Sequence, residues 1–347
     1  MKSTRPTNAR AEGASAHDVP PETIQLRRRS PIEQELRKAE ALHRRTYLAG
    51  VATLAALHSG KPLPLYQFED LAAELAQSVL RNHNALLLCS QAHNKESYTH
   101  ALGTAVLMMM IAGQMRLSED EICRAGLAGL LHDIGNFHVS PHFLHKPGNL
   151  TPEEFTAVSE HTVHGARLIS RFDHDPDGEV ADVVRHHHER VDGSGYPDRL
   201  DGAHISRLSR AAAVADAYDA LTRTRVYHKA LSGPVALKRL RETGAGKLDA
   251  DMLEAMAQSL GPFPPGSLVR LSSQRLALVV EQNPERLQFP VVDVFYDART
   301  RRRTAARSVD LAARAEDPVV GVEDAADWGL DLGTQLRESA AMQAALH

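Results

Sequence analysis

Cysteine is scarce in this 347-residue chain. Cys89 and Cys123 are too few for a disulfide framework and read as half-buried thiols in a reducing compartment. An excess of charge is missing too. With 40 basic residues against 44 acidic, the formal charge is -4, which argues against a dedicated binder of nucleic acid polymers or a protein held on a membrane surface by charge. No apolar run is long enough for a bilayer. The longest uncharged stretch, Ala101 to Met115, spans about fifteen residues where roughly 18 are needed, so it reads as a core helix. The start of the chain has no basic flank leading into an apolar segment, which makes the cytoplasm the expected location. A GxxxxGKS or GxxxxGKT loop, GxSxG and HExxH are all absent. "GAGK" at 244–247 is only a turn, and "RTRRR" at 299–303 reads as a solvated strand end.

What the chain does have is helical patterning followed by a change of texture. Residues 1–30 are rich in Pro, Ser, Thr, Ala and Arg without apolar periodicity and are expected to be disordered. Residues 31–80 form a helical lead-in, with Leu71, Leu75 and Leu80 at helical spacing, and these helices are candidates for pairing in a homodimer. Helical signals continue over 81–261. Ser118 with Glu121 forms a capping box, as does Thr151 with Glu154, the latter with Pro152 at the first helical position. "KPGNL" at 146–150 and "DGSGYP" at 192–197 are loops. From Pro262 to about residue 322, short apolar runs such as "LALVV" and "PVVDVFY" alternate with turn residues and predict a small β appendage. The tail, 323–347, contains Trp328 and predicts a short helix. The fold class is therefore mainly α, a helical bundle with a small C-terminal β appendage.

Histidine is unevenly spread. Ten of the nineteen lie between His132 and His188, and imidazoles gathered with carboxylates are the raw material of a metal site. Glu96 and His100 stand four apart on one helix face, which suits a shared ion but equally an ordinary hydrogen-bonded pair. His132 and Asp133 emerge at the end of the apolar "LAGLL", where a buried carboxylate is costly unless a cation or an arginine neutralises it. Of His161 and His164, one need be a ligand. His186, His187 and His188 are consecutive, an arrangement rare as packing. Asp216 and Asp219 sit within the apolar "AAAVADAYDAL". These segments supply nitrogen and oxygen ligands for two metals or three, without a thiolate, which disfavours a structural zinc site. Two ions at typically ~3.5–4 Å can hold a hydroxide that is nucleophilic at neutral pH and can neutralise phosphate oxygens, so a phosphate ester is the natural substrate.

"HDIGN" at 132–136, "HTVHG" at 161–165 and "HHERVDGSGYP" at 187–197 resemble the HD-GYP domain, the bacterial branch of the HD metal-dependent phosphohydrolases that degrades cyclic di-GMP. The resemblance covers roughly residues 80–260 and implies a helical HD-type domain with two or three divalent ions, iron or manganese. By that resemblance His100, His132, Asp133 and Asp216 hold one metal, and Asp133 bridges to a second held by His161, His187 and His188. Glu96 matches the position of a third-metal ligand in some members. Glu189 is implied to orient an imidazole, Asp219 to stand near the bridging hydroxide, and Tyr196 and Arg225 to face the nucleotide, while Gly193 and Gly195 let the loop turn tightly. Cyclic di-GMP and GGDEF-domain proteins are the implied partners.

The chain departs from the pattern at Ser140, where proline is common, at Val226, within what is usually "RPY", and above all at Asn136, where lysine is usual. That lysine approaches the scissile phosphate, and losing one such electrostatic donor typically costs ~3–4 kcal/mol of transition-state stabilisation. The catalytic set implied is thus Asp133, Asp219 and Asn136. The leading expectation is a phosphodiesterase producing linear pGpG and then GMP. Two rivals stand beside it: a catalytically weak cyclic di-GMP receptor, and a hydrolase for a mixed cyclic dinucleotide.

Overall fold

The computed structural model describes residues 30–93, 98–144, 146–171, 175, 177–223, 230–314 and 316–339. Two long helices open the chain, α1 (Ile32–His58) and α2 (Tyr66–Ala92), followed by α3 (Thr99–Gln114) and α4 (Glu119–Leu131). A 3-10 turn at Ile134–His138 leads to α5 (Pro141–Leu144), α6 (Pro152–Ser159), α7 (His161–Ile169) and α8 (Glu179–His186). The helical part closes with α9 (Arg207–Thr222), α10 (Gly233–Thr243) and α11 (Ala250–Leu260).

Both capping boxes are formed. The Ser118 hydroxyl accepts from the Glu121 N–H at the start of α4, and Thr151 does the same with Glu154 at α6. The uncharged stretch becomes α3, buried on every side from Leu102 to Gly113, as a helix apolar all round must be. It packs against α2, α4, α9 and α11 at the centre of one continuous core. Among the described residues no helix is long and apolar enough to cross a membrane. The expected disorder of residues 1–30 falls almost wholly outside the described residues.

After α11 come β1 (Leu268–Leu271), β2 (Arg275–Glu281), β3 (Val291–Asp297), β4 (Arg302–Asp310) and β5 (Val319–Val322). They form an antiparallel sheet in the order β4-β3-β2-β1-β5. A 3-10 turn carrying Trp328 and α12 (Leu332–Arg337) follow. The mainly α class with a β appendage is borne out. The sheet faces two ways: Leu276, Leu278, Val280 and Phe295 join the helical core, while Val269, Ala277, Val279, Val292 and Val294 form a small cluster on the other face.

The sheet docks at a break in α2. Asn82 leaves helical geometry there (φ -168°, ψ 88°), and its amide donates to Glu281 at 2.6 Å and to the Ser30 carbonyl at 3.0 Å. Asn84 accepts from the backbone N–H of Gln282 at 3.2 Å. The helix that the sequence divides at residue 80 is thus one element bent at Asn82.

Candidate metal centre

Five segments meet at the centre. His100 lies in the first turn of α3, His132 and Asp133 follow α4, and His161 opens α7. His187 and His188 follow α8, and Asp216 is on α9. The apolar faces of α3, α4, α8 and α9 pack on one another, so burial of the core brings these termini together. Gly135 makes the closest approach possible, because a Cβ there would collide with the His161 carbonyl and stand 2.7 Å from the Gly165 nitrogen.

Asp133 is shared between two sets of imidazoles. Its Oδ1 lies 3.3 Å from Nε2 of His161 and 3.8 Å from Nε2 of His187. Its Oδ2 lies 3.6 Å from Nε2 of His132 and 3.8 Å from Nε2 of His100. Asp216 also spans the gap, with Oδ1 3.2 Å from Nε2 of His100 and Oδ2 3.6 Å from Nδ1 of His188. Two groups of metal-type donors result, Asp133 with His161, His187 and His188, and Asp133 with His100 and His132. The side chain of Asp133 is 30% exposed, against 0–20% for the other six residues, so the shared carboxylate is also the part nearest solvent.

The imidazoles are prepared as ligands. Nδ1 of His132 donates to the Gly129 carbonyl at 2.8 Å, that of His161 to Val158 at 2.7 Å, and that of His187 to Val184 at 3.0 Å. Each such bond fixes the tautomer and leaves the Nε2 lone pair pointing into the centre. The Nε2 of His132 is buried without a hydrogen-bond partner among the described residues. An orphaned acceptor grouped with His100 and Asp133 is costly unless a cation meets it, so the residues fit divalent metal ions.

The electrostatics of the imidazoles point the same way. Burial, with His188 and His132 nearby, holds His187 well below the ordinary imidazole range, and burial lowers His188 to about 4. Both are neutral and able to ligate at pH 7. Burial would raise the Asp133 carboxyl, but the surrounding His132, His161, His100 and His187 outweigh it and keep the group ionised. His100 differs: burial opposes its charge, yet bonds to Asp216 and Asp219 raise it to about 10.

A family model described as HD domain matches residues 73–252. The chain belongs to the HD domain family. It is 39% identical over 303 residues to a cyclic di-GMP phosphodiesterase of Pseudomonas aeruginosa, covering 86% of this chain and 73% of that protein. It is 30% identical over 203 residues to the 3'3'-cGAMP-specific phosphodiesterase 1 of Vibrio cholerae, covering 58% of this chain and 44% of that protein. Among solved structures, an HDG"Y"P protein from Bdellovibrio bacteriovorus shares the fold at a TM-score of 0.51 and 19% identity, over 65% of this chain and 72% of that one.

Other residues of this HD domain stand where the sequence did not put them. Asp219 is behind His100, 2.6 Å from Nδ1, on the ring edge away from Asp133 and Asp216. Glu189 does not bond an imidazole; its buried carboxylate accepts the backbone N–H groups of Asp198 at 2.7 Å, Arg199 at 2.9 Å and Leu200 at 3.1 Å. It therefore pins residues 198–200, the chain just past the GYP loop.

Tyr196 flanks the centre, its ring 4.8 Å from that of His188 and 5.4 Å from that of Phe155. Burial pushes its hydroxyl up, so it stays protonated and can donate. Gly193 takes a positive φ of 76°, and a Cβ on Gly195 would strike the backbone of Glu189 and Arg190. Asn136 is half-buried in the 3-10 turn, its N–H bonded to the Asp133 carbonyl at 2.9 Å. His164 is half-buried and paired only loosely with Glu160, and His186 bonds Asp182 at 2.8 Å and Asp198 at 2.9 Å; neither joins the donor groups. Glu96, Arg225 and Val226 lie outside the described residues.

Sequence reasoning missed Arg223. It is buried, bonds Asp219 through Nε and Nη2, and donates to the Thr99 carbonyl at 2.5 Å and to Ser90 at 2.9 Å. Its i+4 spacing from Asp219 on a helix was the available signal.

Proposed function

We propose that this chain is a metal-dependent phosphodiesterase that opens cyclic di-GMP to linear pGpG and then GMP. The observation that supports it best is the split carboxylate of Asp133, whose two oxygens address two separate imidazole sets. His100, His132 and Asp216 would hold one ion and His161, His187 and His188 the other, with Asp133 common to both. Nitrogen and oxygen donors without sulfur suit iron or manganese. When bound, such ions supply a water of lowered pKa and neutralise charge on the phosphate.

The residues around the ions do the rest. Asp219 orients His100 and is itself steadied by Arg223. Glu189 fixes the loop that presents Tyr196, and the Tyr196 hydroxyl donates to the nucleotide while Phe155 stiffens its ring. Cyclic di-GMP is chosen because the relative matched over most of both chains carries that activity in its name. Incubation of the manganese- or iron-loaded protein with cyclic di-GMP is expected to yield pGpG on chromatography. A fully metal-loaded protein without turnover overturns the reading, and preferential cleavage of a mixed cyclic dinucleotide redirects it.

One observation favours a second reading, a cyclic di-GMP receptor with weak turnover. Asn136 puts an uncharged amide in the turn bonded to Asp133, where a cation is expected. Tight binding by calorimetry together with turnover gained in Asn136→Lys would establish it.

A further inference from the structure

Away from the HD centre, α1 and the end of α2 gather a second set of ligand-type side chains. His43, Cys89 and His93 each bring one donor atom into a group within 4.8 Å of one another. Glu40 stands beside this group, its carboxylate oxygens 3.2 and 3.3 Å from Nε2 of His93. Cys89 is fully buried, contrary to the half-buried thiol expected, and His43 is nearly so.

The spacing is that of two bidentate helices. Glu40 and His43 are three apart on α1, and Cys89 lies in the last turn of α2 four residues before His93, which caps that helix, so the two helices bring their donors to one place. For the three donors of His43, Cys89 and His93, at most 4.8 Å apart, a central ion would sit no more than about 2.8 Å from each, and closure by roughly half an ångström reaches the 2.0–2.3 Å bonds of zinc. Two imidazoles, a thiol and a carboxylate are also the mixed, borderline-soft set that a four-coordinate ion of this class takes, unlike the sulfur-free HD centre.

We propose that Glu40, His43, Cys89 and His93 bind one zinc-class divalent ion, which clamps α1 to the corner between α2 and α3. That corner leads directly to the HD centre. Thr99 bonds the His93 carbonyl at 3.0 Å and lies 3.4 Å from Nε2 of His43, while its own carbonyl accepts from Arg223, the partner of Asp219. An ion here would fix the start of α3, one residue before His100.

Cobalt(II) titration of the full-length, metal-stripped chain tests the site, because a thiolate ligand gives a charge-transfer absorption that nitrogen and oxygen ligands do not. The expected result is that absorption together with tetrahedral ligand-field bands, bleached by one equivalent of zinc. It should be lost in Cys89→Ser, changed in His93→Gln, and retained in Cys123→Ser and in Asp133→Asn. Absence of the thiolate band in the wild-type chain at excess cobalt overturns the proposal, whatever the variants do. So does a band that survives in Cys89→Ser, or, should that variant fail to fold, a spectrum unchanged by His93→Gln.

Discussion

The Asp219 carboxylate lies 2.6 Å from Nδ1 of His100, on the opposite ring edge from Asp216, which is 3.2 Å from Nε2. One imidazole is therefore gripped from behind by an acid that has no view of the shared carboxylate. Asp219→Asn is expected to weaken metal binding about 10- to 100-fold, the usual cost of losing an outer partner of a ligand, with turnover falling in step. Metal analysis against free-metal concentration checks this. Unchanged metal affinity with lost turnover would instead put Asp219 at the reacting atoms.

Asn136→Lys restores a cation beside the centre. By the size of one electrostatic donor, kcat is expected to rise about 100-fold, with KM little changed. Steady-state kinetics on the metal-loaded variant decides it, and an unaltered kcat would show that position 136 does not limit the rate.

Glu189 is the acceptor for three backbone N–H groups just past the GYP loop, which is why its loss should be felt as structure before chemistry. Glu189→Ala leaves those donors without their acceptor at about 1–3 kcal/mol each where they stay buried. The expected outcome is a lower Tm and faster proteolysis between residues 190 and 200. Equal protease resistance in variant and wild type would contradict the role given to it.

The pH dependence of stability has a contributor outside the candidate metal centre. Burial would raise the Glu35 carboxyl, but Arg81 at 2.7 Å and Ser78 at 2.8 Å outweigh it and hold it below its ordinary 4.5. Because the folded value is depressed, its stabilisation is present above about 4.5 and is lost as pH falls through the folded value. Wild-type Tm should therefore drop more steeply below pH 4.5 than that of Glu35→Gln. At neutral pH the variant is expected to be less stable by about 2–3 kcal/mol, since Arg81 loses its buried counter-charge. Parallel Tm profiles would refute it.

Much of this was legible in the sequence because it is local. The capping boxes of α4 and α6 need only four residues each, and the crowding of histidines between 132 and 188 marks the centre before any fold is known. Asp216 was legible as an acid in an apolar helix, but not as a second carboxylate spanning both imidazole sets, since that depends on how α9 meets α3 and α8. Glu189 was misread for a similar reason: its partners are nine to eleven residues on, in a loop whose path the motif does not encode. The boundary at residue 80 ignored Asn82, whose departure from the helix is sustained by Glu281, 199 residues away.

That same bend limits how this protein can be cut and recombined. Glu281 and the Gln282 N–H of the sheet serve Asn82 and Asn84 inside the helix that begins the HD match, and Leu278 and Val280 complete the helical core. A fragment ending at residue 261 would take from two buried asparagines their bonds to Glu281 and Gln282 and open an apolar flank. For anyone moving this domain into another chain, the transplantable unit is the helical domain together with its sheet.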